Sequence, residues 1–235
     1  NQQALAIYTS YNDTYYITQV YNDIGNTYYY LKEYDKAIDM LEQSLEMSEK
    51  MGIDELRATT LTNLGKSYLK IELYTEAGNL LNEALELCEK LQNINKKVEV
   101  RLALAQLDLE TSDPERAISF LNKAIIEADF IGVKPNILSA YLYRSEAYQM
   151  LGKYKEALDD YQKYSALNDS IFNEKKSRQI EEMRTLFETE KKEQQIALQE
   201  TEIKLLQQSA KIDRMQKILL GLGLLLTLIG FYGIR

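Results

Sequence analysis

Apolar and small residues recur along this chain at helical spacing, and the whole pattern then recurs at a longer fixed step. Leu61, Leu64, Gly65 and Tyr68, followed by Ala77, Leu81 and Ala84, predict two short amphipathic helices with small residues where they touch. Steps of forty residues from Gly65 reach Gly25, Ala105 and Ser145. The same step from Ala77 reaches Ala37, Ala117 and Ala157, and from Leu81 it reaches Leu41, Leu121 and Tyr161. Self-similarity of this length predicts an α-α solenoid of stacked hairpins. Small residues let two helices approach, bulky ones fill the seam to the next hairpin, and no hairpin buries its apolar face alone. The predicted hairpins span 18–51, 58–92, 98–131 and 138–167. Residues 1–16 read as the tail of an earlier copy, since Ala4 and Leu5 lie forty before Ser44 and Leu45. Turn residues fall between hairpins at Gly52, Asn93 and Gly132, and Asp113-Pro114-Glu115 predicts a helix start.

The beat stops after Tyr164. Residues 168–217 hold no Gly or Pro and are dominated by Glu, Lys, Gln and Arg, which predicts one long helix. Ile171, Phe172, Ile180, Met183 and Phe187 are placed to cap the last repeat. Further on, Leu198, Leu205, Ile212 and Leu219 repeat every seven residues, and Ile196, Ile203 and Ala210 do so on another face. These two stripes predict a coiled coil of ambiguous register and self-association through 196–219. The 17 uncharged residues from Ile218 to Ile234 reach the short limit for crossing a bilayer. With Lys217 and Arg235 at its ends, 218–235 is expected to be a single transmembrane helix. Gly223, Thr227 and Gly230 share one face of it, suited to close packing.

Composition narrows the chemistry. Net charge is −8 without a basic face, which argues against direct nucleic-acid contact. Histidine is absent, which removes histidine-activated nucleophiles, histidine metal sites and a phosphoaccepting histidine. One cysteine, Cys88, continues the row of Leu81 and Ala84 and reads as a packed thiol. No Gly-rich phosphate loop is present. No catalytic residue, cofactor or metal is therefore expected within these residues. Nine of the eighteen tyrosines lie between Tyr8 and Tyr34, as seam fillers or as an aromatic binding surface.

The pattern resembles the tetratricopeptide (TPR) repeat. Tyr21, Ile24-Gly25, Tyr28, Ala37, Leu41 and Ser44 match it, as do Leu61, Leu64-Gly65, Tyr68, Ala77, Leu81 and Ala84. The third copy keeps Leu104-Ala105, Ala117, Leu121 and Ala124, but has Arg101 and Asp108 at large apolar or aromatic positions. The fourth keeps Tyr141, Tyr148, Ala157 and Tyr161, with Arg144-Ser145 for Leu-Gly and Tyr164 for the last small residue. The usual period is about 34 residues, so this chain is similar to the extended members. The resemblance implies a concave face lined by the first helix of each repeat. Its outward positions map to Asn22, Asn26, Tyr29 and Tyr30, then Asn63, Lys66 and Lys70, then Gln106 and Glu110, then Tyr143, Glu146 and Gln149. A peptide or protein segment is the implied ligand. The clamp that some members use for chaperone tails is broken: Asn26 and Asn63 match its asparagines, but its basic positions are Asn22, Glu99 and Ala103.

The order of parts, with Leu186-Phe187 to Leu198 ahead of the apolar run, resembles membrane-bound TPR regulators of Bacteroidetes-type bacteria. That resemblance implies a periplasmic repeat array on a single-pass inner-membrane protein. It also implies an output module beyond Arg235, a two-component sensor histidine kinase or a helix-turn-helix regulator. The expected architecture is all-α: TPR solenoid over 1–167, coiled-coil helix over 168–217 and membrane helix over 218–235. The competing expectation is a tail-anchored adaptor that gathers partners and transmits nothing. A soluble receptor for peptide pheromones is disfavoured by the apolar run.

Overall fold

The computed structural model describes the backbone of residues 14–233 and the side chains of residues 14–223. The expected tail of an earlier repeat, at 1–16, lies almost wholly outside them, and so do most side chains of the expected membrane span. Eight helices are described, with no strand among the described residues. They are α1 (Thr14–Tyr30), α2 (Tyr34–Met51), α3 (Asp54–Lys70), α4 (Tyr74–Lys90), α5 (Ile94–Glu110), α6 (Pro114–Phe130), α7 (Lys134–Met150) and α8 (Tyr154–Gly233). The first helices end at 30, 70, 110 and 150, so the forty-residue step is kept to the residue. The chain divides into two compact units, Asn1–Phe172 and Asn173–Arg235.

In the first unit the turns keep an even shorter beat. Lys32, Gly52, Glu72, Gln92, Ser112, Gly132 and Gly152 all have positive φ, one every twenty residues. Each turn closes with the same pair of backbone bonds: at Gly52, its N–H donates to the Glu49 carbonyl and the Ile53 N–H to the Ser48 carbonyl. This is the Schellman arrangement, which satisfies the last carbonyls of the helix. Glycine adopts this conformation without strain, yet four of the seven turns lack it. Identical turns hold α2 to α7 to 17 or 18 residues each.

The small-to-large seam is as the sequence predicts. Ala37, Ala77 and Ala117 are fully buried, and so are Leu41, Leu81 and Leu121. A Cβ added to Gly25 or Gly65 would lie 2.6 or 2.7 Å from Cγ of Leu41 or Leu81, so each glycine permits one close helix approach. Cys88 is buried and free. Successive first helices touch: α1 with α3, α3 with α5, and α5 with α7. The second helices α2, α4 and α6 make no such contacts with one another. The first unit therefore curves, with first helices on its inner side.

At the end of the array the second helix of the fourth repeat runs straight on. No break separates the second helix of the fourth repeat from the long charged helix, because α8 is one helix of 80 residues. α7 has only 17 residues, so α8 outruns its partner after about Ser170 at equal rise per residue. Leu167 still packs on the cluster formed by Val98, Ala124, Ala128 and Ile137. Phe172, expected to cap the repeat, is 65% exposed.

In the second unit Ile180, Met183, Phe187, Ile196, Leu198, Ile203, Leu205 and Ile212 are all exposed along the helix. Among the described residues no helix is long and apolar enough to cross a membrane. The expected span at 218–235 has its side chains from 224 onward outside those residues.

Candidate functional site

The inner face of the first unit is built from α1, α3, α5 and α7. Among the described residues α3 and α5 pack on both their neighbours in sequence, α1 on α2 and α7 on α6, which fixes the direction of the remaining stripe. Asn26, Tyr29, Asn63, Lys66, Lys70, Gln106 and Tyr143 are all half-buried there, while Tyr30 is 75% exposed. Asn22 differs. It is buried, and its Oδ1 accepts a hydrogen bond from Asn63 Nδ2 at 3.0 Å. That bond ties α1 to α3, so Asn22 is a seam residue that orients Asn63 rather than an open surface group.

Curvature brings tyrosines of distant repeats together. Burial pushes the Tyr29 hydroxyl up to about 12, and Tyr34, Tyr143 and Tyr30 push it the same way. Tyr143 stands on α7, three hairpins further along, so the first and fourth repeats face one groove. Burial also raises Tyr143, with Glu146 second. Tyr29 packs edge-on to Tyr30 at 5.6 Å between ring centroids and against Tyr34 at 5.8 Å. Tyr34 belongs to α2, so a rule that takes only first helices misses it. The signal that finds it is the density of tyrosine near the start of the chain.

Lys66 carries the clearest unmet chemistry. Burial pulls its ammonium below the usual lysine range; Glu99 opposes that shift and Lys96 adds to it. Lys96 and Glu99 are already paired with each other at 2.8 Å. Lys66 itself makes no ion pair or hydrogen bond with the described residues. Lys66 is half-buried and its Nζ is not among the buried polar atoms left without a partner, so it keeps contact with solvent and is available to an anionic or carbonyl acceptor. The groove thus offers aromatic faces, amides and the ammonium groups of Lys66 and Lys70. No cluster of His, Cys, Asp and Glu among the described residues could hold a metal ion.

Family models described as tetratricopeptide repeat match residues 1–50 and 56–125, and again residues 102–170. The chain belongs to the tetratricopeptide repeat family. Its TPR hairpins are of the extended kind, forty residues long throughout. No curated protein matches the chain. Among solved structures, BtubC (BKLC) from P. vanneervenii is similar over 68% of this chain and 66% of its own, with a TM-score of 0.61 and 19% identity. A Rap protein complexed with Competence and Sporulation Factor is similar over 67% of this chain and 43% of its own, with a TM-score of 0.60 and 22% identity. The third is a Signal Transduction ATPase with Numerous Domains from Pyrococcus horikoshii, described as having a tetratricopeptide repeat sensor. It is similar over 70% of this chain and 26% of its own, at 0.60 and 22%. This TPR chain spans less than two thirds of each of those chains, and at such identities the likeness is one of fold. The fold is a protein-interaction scaffold without catalytic groups of its own.

Proposed function

We propose that this chain is the sensor and interaction region of a membrane-anchored signalling protein, and that its inner groove binds a peptide or protein segment. The observation that carries the reading is the inner face itself, where half-buried Lys66 makes no ion pair with the described residues and stands on the face that Tyr29 and Tyr143 share. A bound segment supplies a carbonyl or carboxylate to Lys66 and an apolar side chain to the tyrosines, with Asn26, Asn63, Lys70 and Gln106 available to its backbone. A TPR array described as a sensor in one similar structure, and a bound factor in another, are consistent with this use.

In this reading the long helix carries the state of the groove onward. Its exposed apolar stripes at 196–219 pair two copies, the run 218–235 enters the bacterial inner membrane, and the repeats lie in the periplasm. Output then belongs to a kinase module beyond Arg235. A ligand shifts such a device only by binding its two helix arrangements unequally.

A photo-crosslinking residue at Gln106 tests the groove in cells. The expected result is a crosslinked partner that is lost in Lys66→Ala and in Tyr143→Ala variants of unchanged thermal stability. Crosslinking that survives both changes refutes groove binding. Proline at Gln199 tests the relay separately: binding is retained and output lost, whereas normal output sinks the relay.

A further inference from the structure

A second concavity lies on the outer side of the first unit, remote in kind from the groove. It opens between α2 and α4, with α3 as its floor, and has a volume of about 450 Å³. Leu45, Leu64 and Leu80 line the floor. Glu42, Glu46, Glu49 and Glu76 stand around it, with Tyr68 between Glu42 and Glu76. Two of these acids are already paired, Glu46 with Lys50 and Glu49 with Arg57 at 3.6 Å. Glu42 and Glu76 have no basic partner among the described residues. The Tyr68 hydroxyl donates to Glu42 Oε1 at 2.9 Å. Burial, that bond and the charges of Glu42 and Glu76 together push Tyr68 up to about 12.

The repeat supplies its own comparison, because each position recurs forty residues later. One seam further on, the place of Glu76 is taken by Arg116, that of Tyr68 by Asp108 and that of Leu80 by Phe120. There the Arg116 guanidinium sits 5.7 Å from the centre of the Phe120 ring and 3.6 Å from Asp108. At the next seam, Arg144 takes the place of Leu64 and Asn122 that of Glu42. Arg144 donates to Asp160 at 2.6 and 2.8 Å and to Asn122 Oδ1 at 2.6 Å, and lies 5.5 Å from the centre of the Tyr141 ring. Both later seams thus hold a guanidinium from within the chain, over an aromatic ring and against a carboxylate. The first seam keeps the apolar floor and the acceptors, and none of its nine lining residues is basic.

We propose that this first outer seam is a docking site for an arginine side chain of a protein partner, followed by an apolar residue. The guanidinium lies between Glu42 and Glu76 beside the Tyr68 ring, and the apolar residue covers Leu45 and Leu80. Arginine is favoured over lysine because its planar donors match two carboxylates and stack on an aromatic face. The site is separate from the inner groove, and neither proposal depends on the other.

The test uses the full chain with methyl-labelled leucine and two probes, acetyl-Arg-Leu-amide and its neutral isostere acetyl-citrulline-Leu-amide. Titration of the arginine probe is expected to move the Leu45, Leu64 and Leu80 methyl signals to saturation, and the citrulline probe to bind at least tenfold more weakly. A Glu42→Gln, Glu76→Gln double variant should lose the difference between the probes. Glu76→Arg, which copies Arg116, should abolish arginine-probe binding while keeping or raising the thermal midpoint. No saturable shift at these leucines, equal response to both probes, or undiminished binding to Glu76→Arg overturns the proposal.

Discussion

The first two repeats and the last two share a backbone but are held by different side chains. In repeats one and two the large positions are filled by apolar or aromatic residues: Ile24 and Leu64 are buried, Tyr28 and Tyr68 half-buried. In repeats three and four several of the same places carry charge. Arg101 stands forty residues from Leu61, is 6% exposed as a residue, and pairs with Glu127 and Glu89. Arg144 stands forty residues from Leu104 and two repeats on from Leu64, and it grips Asp160, which is 2% exposed. Ser145 replaces the glycine and turns its hydroxyl to the Ala157 carbonyl at 2.8 Å. The comparison separates two requirements. The close approach at position 65 and its equivalents is steric and is met only by Gly, Ala or Ser here. The filling of the large positions is met equally by an apolar side chain or by a complete ion pair, because a buried pair and an apolar isostere are of similar net worth.

The largest break in this equivalence is Arg144→Ala. It leaves Asp160 buried without its bidentate partner, and breaking such a pair costs about 3–5 kcal/mol. A urea melt of the variant should show the loss, concentrated in hydrogen exchange of α7 because repeat stability is local. The paired change Arg144→Leu with Asp160→Leu restores the residues found at 64 and 80, and should return most of that loss. If the double variant is as unstable as the single one, the two halves are not interchangeable.

A smaller effect, with a pH signature, belongs to Asp108. It is 2% exposed, and its Oδ2 has no hydrogen-bond partner. Burial raises its carboxyl from the ordinary 3.8 to about 6, with Asp113 acting the same way and Arg116 against. The folded state therefore holds the proton more tightly than the unfolded chain. Stability from this group is full below about pH 4 and is lost as pH rises through about 6. A shift from 3.8 to about 6 corresponds to at most about 3 kcal/mol. Asp108→Asn should flatten that part of the stability profile and raise the melting temperature at pH 7.5. A variant with the same slope between pH 4 and 6 places the titration elsewhere.

How much of this was legible depended on whether a residue's role was local. The forty-residue register, the buried Ala37–Leu41 and Ala77–Leu81 seams and the packed Cys88 follow from spacing alone, since each is repeated or lies on one amphipathic face. The turns were only half legible. Gly52 and Gly132 are visible in the sequence, but Lys32, Glu72, Gln92 and Ser112 adopt the same left-handed backbone with no compositional mark. The first-helix positions read from the sequence are half-buried, apart from exposed Tyr30, Glu110, Glu146 and Gln149 and from Asn22, whose bond to Asn63 depends on the stacking of two repeats. Tyr34 and the Glu42–Tyr68–Glu76 cleft were not legible, because their parts come from second helices or from three helices at once. The capping role read for Phe172, Ile180, Met183 and Phe187 was not legible correctly, because α8 runs on past the end of α7 without any Gly, Pro or cap and leaves those side chains exposed.

The smallest predicted effect sharpens the steric half of the comparison. In Gly65→Ala the new Cβ would lie 2.7 Å from Leu81 Cγ and 2.9 Å from Cδ2, inside normal contact. Leu81 is fully buried, so it has little room to yield. Such overpacking costs about 1–3 kcal/mol. Helix propensity works in the other direction and returns about 1 kcal/mol for Gly to Ala. The net loss should be about 1 kcal/mol, read as a lower urea midpoint with an unchanged slope. The reciprocal change Ala105→Gly meets no clash, because the third repeat already accommodates a methyl group opposite Leu121. It loses propensity and a buried methyl together, so it too should destabilise, by about 1–2 kcal/mol. Both substitutions lowering stability means that each seam is fitted to its own residue. A stabilising Gly65→Ala would mean that Leu81 repacks freely and that the close approach is tolerated rather than required.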